Sequence, residues 1–333
     1  MVDVRKSASD CEIFLRATSL EFLRAGFEKV QRNNGCAGGD GVSVSLFGFG
    51  LELRLRHLQT ALRTGRYEPT AVARFEIPKP GRHEKRVLLV PSVRDRVAQT
   101  AACLAMNDLL EREFEPSSFA YRPGRSVAMA IEAVAGLHQK GFTWIVDADI
   151  KAYFDNVPHA RVLGMLAEVV PERPFIELVG KWLGTAPAAG MGLPQGAPVS
   201  PLLANLYLDF VDEAVAEAGF HIVRYADDFV ILCRTEAKAE RALALVRDLL
   251  AGLDLELHPD KTVIRSLGDG YDFLGQKIHR TTLASQVAEL VRDADVGSES
   301  GPTPRGIETL DGSLSVPGSR RMLGKRYAEP PER

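Results

Sequence analysis

The chain has 333 residues, of which 45% are hydrophobic and 26% are charged, and its formal net charge is −3. This is the composition of an ordinary soluble globular protein, long enough for one large domain or two modest ones. The sequence contains no long apolar run, and its first residues lack an apolar signal core, which predicts a cytoplasmic protein without a membrane span. The four cysteines form no CxxC pair, which argues against a zinc site or a disulfide framework.

The N-terminal part of the chain is predicted to be largely helical. Residues 10–32 have the pattern of one amphipathic helix. A turn-rich stretch follows at residues 33–41, where glycine permits tight backbone geometry. Further helices are predicted at residues 51–63, 93–112 and 124–140.

A β-hairpin is predicted at residues 71–90, with its turn near Lys79. Basic residues are concentrated around it: from Arg54 to Arg96 there are eleven Lys or Arg against four Asp or Glu. Such a surface neutralises phosphates and binds nucleic acid in a salt-dependent, sequence-independent way. A solvated basic face is the alternative when this stretch is considered alone.

A buried strand is predicted at residues 144–146, and two acids follow it. Period-two alternation places Asp147 and Asp149 on one face at the end of this strand. A second acidic pair, Asp227 and Asp228, stands between two short apolar runs. Val, Ile, Tyr and Phe favour strands and Asp tolerates tight turns, so these runs predict a hairpin with both acids at its tip.

Adjacent carboxylates repel each other, and a hard divalent cation that prefers oxygen ligands relieves the repulsion. If the hairpin tip meets the end of the upstream strand, three carboxylates gather from distant parts of the chain. That arrangement can hold two magnesium ions about 4 Å apart for an in-line phosphoryl displacement. An ordinary surface hairpin is the alternative from Asp227 and Asp228 alone.

The remaining elements mix helices and strands, which predicts an α+β fold with a sheet layered on helices. Ser200 is predicted as a helix N-cap with Pro201 in the first turn. Another helix is expected at about residues 238–252, and two short strands at residues 254–278.

These segments resemble the conserved blocks of reverse transcriptases, especially those of the bacterial group II intron-like lineage. The palm-like segments are 149–155 (Asp-Ile-Lys-Ala-Tyr-Phe-Asp), 192–201 (Gly-Leu-Pro-Gln-Gly-Ala-Pro-Val-Ser-Pro), 225–228 (Tyr-Ala-Asp-Asp), 257–262 and 271–275. The fingers-like segments are 77–80, 85–86, 91–97 and 118–126. The resemblance keeps this order from about residue 33 to residue 278, which is most of the chain.

The resemblance implies a right-hand polymerase whose antiparallel palm sheet is backed by helices, with a thumb that is short or absent. The expected division is an N-terminal helical segment at 1–32, fingers at 33–140, a catalytic palm at 141–280 and a flexible tail or linker at 281–333. In the tail, thirteen of the twenty-three residues from Gly297 to Ser319 are Gly, Pro or Ser, a composition that buries little apolar surface.

The resemblance also implies roles for the acids. Asp149, Asp227 and Asp228 are expected to bind two Mg²⁺ ions, for which Mn²⁺ can substitute, with the first two acids bridging both ions. Asp147 shares the strand face, but the family pattern starts at Asp149. Lys261 is expected to protonate the departing pyrophosphate as a general acid. A lysine that merely ends a structural element is the alternative for that residue.

Nucleotide binding is expected from residues of both the fingers and the palm. Phe154 matches the aromatic gate that leaves no room for a 2′-hydroxyl and so favours dNTPs over NTPs. The remaining candidates for nucleotide binding are Gln195, Lys79, Lys85 and Arg86, the last three through the triphosphate. Arg122 and Arg125 resemble groups that position nucleic-acid phosphates.

The sequence thus predicts an RNA-directed DNA polymerase that takes an RNA template, a DNA or RNA primer and dNTPs. A template-independent or protein-primed defence polymerase is one alternative, and an inactive palm that binds nucleic acid is another. The intact acids argue against the inactive palm. The Gly/Pro/Ser-rich tail suggests contact with a partner, for which a CRISPR adaptation integrase or another defence protein is the hypothesis.

Overall fold

The computed structural model describes residues 12–78 and 85–280. The helices are α1 Glu12–Ala17, α2 Leu20–Asn33, α3 Val44–Gly48, α4 Leu51–Arg63, α5 Val93–Glu113, α6 Val127–Gln139, α7 His159–Val169, α8 Arg173–Leu183, α9 Ser200–Glu217 and α10 Glu236–Gly252. The strands are β1 Ala73–Pro78, β2 Lys85–Val90, β3 Trp144–Asp149, β4 His221–Tyr225, β5 Asp228–Cys233, β6 Val263–Ser266, β7 Tyr271–Phe273 and β8 Gln276–Ile278.

The N-terminal helix is broken, so the prediction of one continuous helix over residues 10–32 is wrong. The Thr18 hydroxyl donates to the Phe14 carbonyl and ends α1. Ser19 then caps α2 by accepting a hydrogen bond from the Phe22 amide. Serine and threonine side chains compete with helical backbone hydrogen bonds, which explains a break at two adjacent hydroxyl residues.

The central helix of the N-terminal half is α5, which packs against α1 and α2. Its buried positions include four alanines, and these small side chains permit close helix packing. On α2, a Cβ atom at Gly26 would lie 2.7 Å from the Val97 carbonyl oxygen, so glycine is needed where the two helices approach.

The fingers hairpin forms as predicted, with β1 and β2 antiparallel and Ala73 opposite Val90. Its turn at residues 79–84 lies outside the described residues. Five of the six β1 residues are exposed. The Leu89 amide donates to the Gln195 carbonyl at 2.7 Å, which joins β2 to the loop before α9.

The palm sheet has four antiparallel strands in the order β4-β5-β3-β6. Its two central strands, β3 and β5, pair from Trp144–Cys233 to Asp149–Asp228. The central residues of both strands are buried, and Val146 and Ile231 are completely inaccessible to solvent. Helices α9 and α10 pack against this sheet, which confirms the α+β prediction and the antiparallel palm backed by helices.

Three local predictions in the palm need correction. Ser200 is the first residue of α9 and not its N-cap. Its hydroxyl donates to the carbonyl of Pro194 in the preceding loop at 2.8 Å and does not cap the helix. Residues 254–278 form three strands instead of two, since β7 and β8 make a separate hairpin. Helices α7 and α8 were not predicted at all.

The boundaries proposed for the helical segment, fingers, palm and tail stay predictions, and residues 281–333, with any thumb, lie outside the described part of the chain. In that described part, none of the helices is both long enough and apolar enough to cross a bilayer.

Candidate active site

The predicted acids come together at one end of the palm sheet. Asp149 is the last residue of β3 and lies directly opposite Asp228, the first residue of β5. Asp227 occupies the turn just before β5, after Ala226, whose φ of 61° permits the tight reversal. Strand pairing therefore sets the spacing of these carboxylates, and opposite residues of antiparallel strands have Cβ atoms about 5 Å apart.

A cavity of about 250 Å³ opens beside this strand end. It is lined by Asp147, Asp149, Asp228, Lys261, Asp272 and the β7–β8 turn. Asp147 thus shares the cavity with Asp149, as the strand alternation predicts. Asp272, on β7, is an acid of this cavity that the sequence analysis did not single out.

Burial and neighbouring charges make Asp227 and Asp228 hard to ionise. Burial among protein atoms, followed by the charges of Asp227 and Asp149, raises the pKa of Asp228 to about 6. Burial likewise raises the pKa of Asp227, with a further increase from Asp149 and partial relief from a backbone hydrogen bond, Arg86 and Lys261. The charge of Asp149 thus increases the proton affinity of both Asp227 and Asp228, which is the electrostatic signature of a site that favours a cation.

Lys261 lies at this site. Its Nζ atom is 2.7 Å from Oδ2 of Asp149, and both side chains are about one-third exposed or less. The turn that carries Lys261 is tied to the same strand end, because the His258 amide donates to the Asp149 carbonyl at 2.8 Å. The lysine ammonium thus neutralises one carboxylate of the cluster.

Within residues 12–78 and 85–280, no group of three or more His, Cys, Asp or Glu side chains forms a ready-made metal site. The chemistry of the donors nevertheless fits magnesium, since three carboxylates from β3 and the β4–β5 turn supply the hard oxygen ligands that this ion prefers. The ion pair with Lys261 occupies one of these oxygens. A divalent ion bound at these acids would therefore have to compete with this lysine for Asp149.

Phe154 and Gln195 lie on two segments that contact each other. Phe154 is in a short 3-10 turn, and its carbonyl accepts a 2.6 Å hydrogen bond from the Leu193 amide. The Gln195 amide group is 3.4 Å from Oδ1 of Asp155. Gly196 has φ of 112°, and a Cβ there would lie 2.9 Å from the Leu89 carbonyl oxygen. The glycine-rich loop therefore packs between the Phe154 turn and the fingers strand.

The fingers contribute a cation to the same site. Arg86 is exposed on β2, and its charge lowers the pKa of both Asp227 and Tyr121 while other effects raise them. The Lys85 backbone pairs with Pro78, and Lys79 lies outside the described residues. Arg86 is thus the triphosphate-binding candidate that the structure brings near the acids.

Arg122 does not fit its predicted role as a phosphate contact. Its side chain is 3% exposed and forms an ion pair with Glu111 at 3.0 Å. It also donates to the carbonyls of Glu115 and Ser118. Its donors are therefore used to brace the segment that precedes it, and the prediction is corrected.

Arg125 stacks over the Phe119 ring at 5.2 Å and donates to the Pro116 carbonyl. Its side chain is partly exposed, so the prediction of a phosphate contact stays open for this residue.

Sequence reasoning missed a buried polar cluster behind the acids. Arg224 forms a buried ion pair with Asp212 and also donates to Asn205 and to the Ala226 carbonyl. A signal was present in α9, where Asn205 and Asp212 are seven residues apart and so share one face of the helix, on which both are buried. The exposed Tyr121, whose φ is 61°, was also missed.

Comparison with known families matches residues 77–278 to the family described as reverse transcriptase (RNA-dependent DNA polymerase). Protein YkfC of Escherichia coli is 31% identical over 73% of this chain and 76% of its own length. The group II intron-encoded protein LtrA of Lactococcus lactis is 30% identical over 50% of this chain. The chain aligns with only 29% of LtrA.

Two solved structures align with part of this chain. The partial Cas6-RT-Cas1–Cas2 complex aligns with 71% of this chain and 40% of its own chain, at 24% identity and a TM-score of 0.42. Telomerase from Candida albicans aligns with 74% of this chain and 51% of its own, at 15% identity and a TM-score of 0.49. The binding partners in those complexes are properties of those proteins.

Proposed function

This chain belongs to the reverse transcriptase family, in its group II intron-like branch, and we propose that it adds dNTPs to a primer 3′ end on an RNA template. The observation that carries the proposal is the register of the palm sheet. Pairing of β3 with β5 places Asp149 opposite Asp228, with Asp227 adjacent. The fingers residue Arg86 contributes a positive charge to the same cluster.

In the proposed reaction, Asp149, Asp227 and Asp228 would hold two Mg²⁺ ions, with Asp228 in an assisting role. Ions bound there would supply Lewis-acid activation of the primer hydroxyl and neutralise charge on the phosphates. Arg86 binds the triphosphate through its guanidinium fork. Lys261, which is 2.7 Å from Asp149, is close enough to the cavity to protonate the departing pyrophosphate.

Phe154 is proposed to exclude ribonucleotides. Its ring is half-buried and packs edge-on against Tyr153, with ring centroids 5.6 Å apart. The Tyr153 hydroxyl donates to the Ala204 carbonyl at 2.6 Å. This hydrogen bond anchors Tyr153, which packs against Phe154, to helix α9. A ring held in this way resists displacement by a sugar 2′-hydroxyl, which supports selection of dNTPs.

Primer extension tests the proposal. The purified full chain is given a defined RNA template, an annealed DNA or RNA primer, Mg²⁺ and either dNTPs or NTPs, alongside the variant Asp227→Ala. We expect template-dependent incorporation of dNTPs by the wild type and loss of that incorporation in the variant. Equal incorporation by both proteins would refute the assignment of Asp227.

The same assay separates the alternatives. Incorporation without a template, or from a protein hydroxyl, would identify a template-independent or protein-primed polymerase. Binding of primer and template without incorporation would identify an inactive palm. Cooperation with a CRISPR adaptation integrase or another defence protein stays a prediction from the sequence, and a pull-down with the full chain tests it.

A further inference from the structure

The buried cluster behind the acids consists of Arg224, Asp212 and Asn205, each at most 1% exposed. The Arg224 Nε atom lies 2.9 Å from both carboxylate oxygens of Asp212. Its Nη1 atom lies 3.0 Å from the Asn205 side-chain oxygen and 3.0 Å from the Ala226 carbonyl oxygen. One guanidinium therefore joins helix α9 to the turn that carries Asp227 and Asp228.

A buried ion pair is weak evidence of stabilisation, because desolvation of two charges offsets much of their attraction. An apolar pair of similar volume would fill this space at comparable stability. What an apolar pair cannot supply is directional hydrogen bonding to a carbonyl in a tight turn. The carbonyl at Ala226 belongs to the peptide group that also contains the Asp227 amide nitrogen.

The cluster holds a second segment as well. The Asn205 side-chain amide donates to the Ala120 carbonyl at 2.7 Å. The backbone of Arg224 itself pairs with this segment, donating to Ser117 and accepting from Phe119 at 2.9 Å in each case. The residue that follows Ala120 is Tyr121, whose aromatic side chain is 52% exposed.

Both segments contain a residue in the left-handed backbone region. Ala226 and Tyr121 each have φ of 61°. Such a conformation is unfavourable for a residue other than glycine and persists only where the surroundings enforce it. In both cases a buried hydrogen bond from the cluster reaches the strained residue or the one before it.

We propose that Arg224, Asp212 and Asn205 form a positioning cluster that fixes Asp227 and Tyr121 relative to each other. These residues act through the backbone and do not touch the reactants. This inference rests on the proposed polymerase function for its kinetic consequences, whereas the coupling of the two segments does not depend on it.

The test compares Arg224→Lys and Asn205→Ala with the matched control Glu172→Gln. Lysine can pair with Asp212 but cannot donate to Asn205 and Ala226 at the same time. Glu172 is also buried, and it accepts hydrogen bonds from the Ile13 and Phe14 amides far along the chain. The control therefore disturbs a buried carboxylate without contact to either strained segment.

Hydrogen–deuterium exchange and Mn²⁺ binding by electron paramagnetic resonance are measured on each full-length variant, together with steady-state kinetics. For Arg224→Lys we expect faster exchange in both 117–121 and 225–229, weaker Mn²⁺ binding, and a fall in kcat of about 100-fold. The primer–template Kd should change less than about twofold. The control should lower the melting temperature and leave these readouts at their wild-type values.

Wild-type exchange in both segments and wild-type kcat in a folded Arg224→Lys variant would overturn the proposal and reduce the cluster to a structural support. If that variant does not fold, Asn205→Ala decides, since it leaves the ion pair intact and must increase exchange at 117–121. If the wild type lacks polymerase activity, the proposed function fails. The exchange and Mn²⁺ results then still decide whether the cluster positions these segments.

Discussion

The palm sheet and the fingers hairpin hold their charged residues in different ways. In the palm, β3 and β5 are the two central strands of a four-stranded sheet, and strand register fixes the acids. In the fingers, β1 is exposed along nearly its whole length and Arg86 extends from a two-stranded hairpin. Metal ligands need fixed spacing, whereas a triphosphate clamp must admit and release its substrate. The paired central strands and the β4–β5 turn therefore carry the acids, whereas the exposed hairpin carries Arg86.

A matched pair of substitutions on β3 tests this difference between palm and fingers most sharply. Asp149→Asn should lower kcat by at least about 1000-fold, because it removes a charged ligand of the reacting centre. Asp147→Asn, on the same face of β3, should retain activity within about tenfold. Primer extension under single-turnover conditions measures both. Equal losses of activity in the two variants would show that the role of an acid on β3 depends on the strand face alone, and not on the position opposite Asp228.

The fingers side of the comparison is tested at Arg86. Arg86→Ala should raise the KM for dNTPs by about 10–100-fold, since one charge-assisted bidentate contact contributes about 1.5–3 kcal/mol. Arg86→Lys should recover part of this loss because it keeps the charge without the fork. The affinity for primer–template serves as the control. A defect in primer–template affinity with an unchanged KM would assign Arg86 to nucleic-acid binding instead.

Sugar selection at Phe154 should give a smaller effect. Phe154→Ala should improve the use of NTPs relative to dNTPs by about 10–100-fold, because a cavity replaces the ring. DNA synthesis should remain measurable, since the hydrogen bond from Leu193 goes to the backbone at this position. Competition between a dNTP and the matching NTP measures the ratio. An unchanged ratio would remove Phe154 from the selection mechanism.

The smallest expected effect concerns stability of the palm. Burial, followed by the charge of Asp212, raises the pKa of Asp209 to about 7. Its folded form binds a proton that the unfolded form releases near pH 4, so the free energy of unfolding should decrease as pH rises from about 4 to 7. Asp209→Asn should weaken this slope and raise the melting temperature at pH 8. Parallel pH profiles for the two proteins would contradict the shifted pKa.

The sequence predicted those features of the fold that follow from local pattern. The period-two alternation on β3 predicted that Asp147 and Asp149 share one face, and the Tyr-Ala-Asp-Asp segment predicted the tip of the β4–β5 hairpin. The register that sets Asp149 opposite Asp228 depends on pairing between distant strands, so only ordered motifs of a known family suggested it. The local pattern did not predict the helix break at Thr18 and Ser19. The hydrogen bonds of these two hydroxyl groups end one helix and cap the next, although the apolar stripe continues across the break.

The two arginines show where sequence reasoning reaches its limit. Arg122 lies in a basic, glycine-containing motif and was expected to bind phosphate, yet its guanidinium is buried against Glu111. Arg224 received no role and proves to be paired with Asp212 beside the turn that carries Asp227. Whether an arginine faces solvent or the interior depends on an acid elsewhere in the chain, and periodicity around the arginine cannot reveal that partner.

The most direct test of the central claim is a crystal structure of the full chain with primer–template, an incoming dNTP and Mn²⁺. Anomalous scattering locates the ions without reference to the protein atoms. We predict two Mn²⁺ peaks, both in contact with Asp149 and Asp227, with the ammonium of Lys261 displaced from Asp149. Anomalous density elsewhere, or an intact Lys261–Asp149 ion pair with bound substrates and no ion at these acids, would contradict the account.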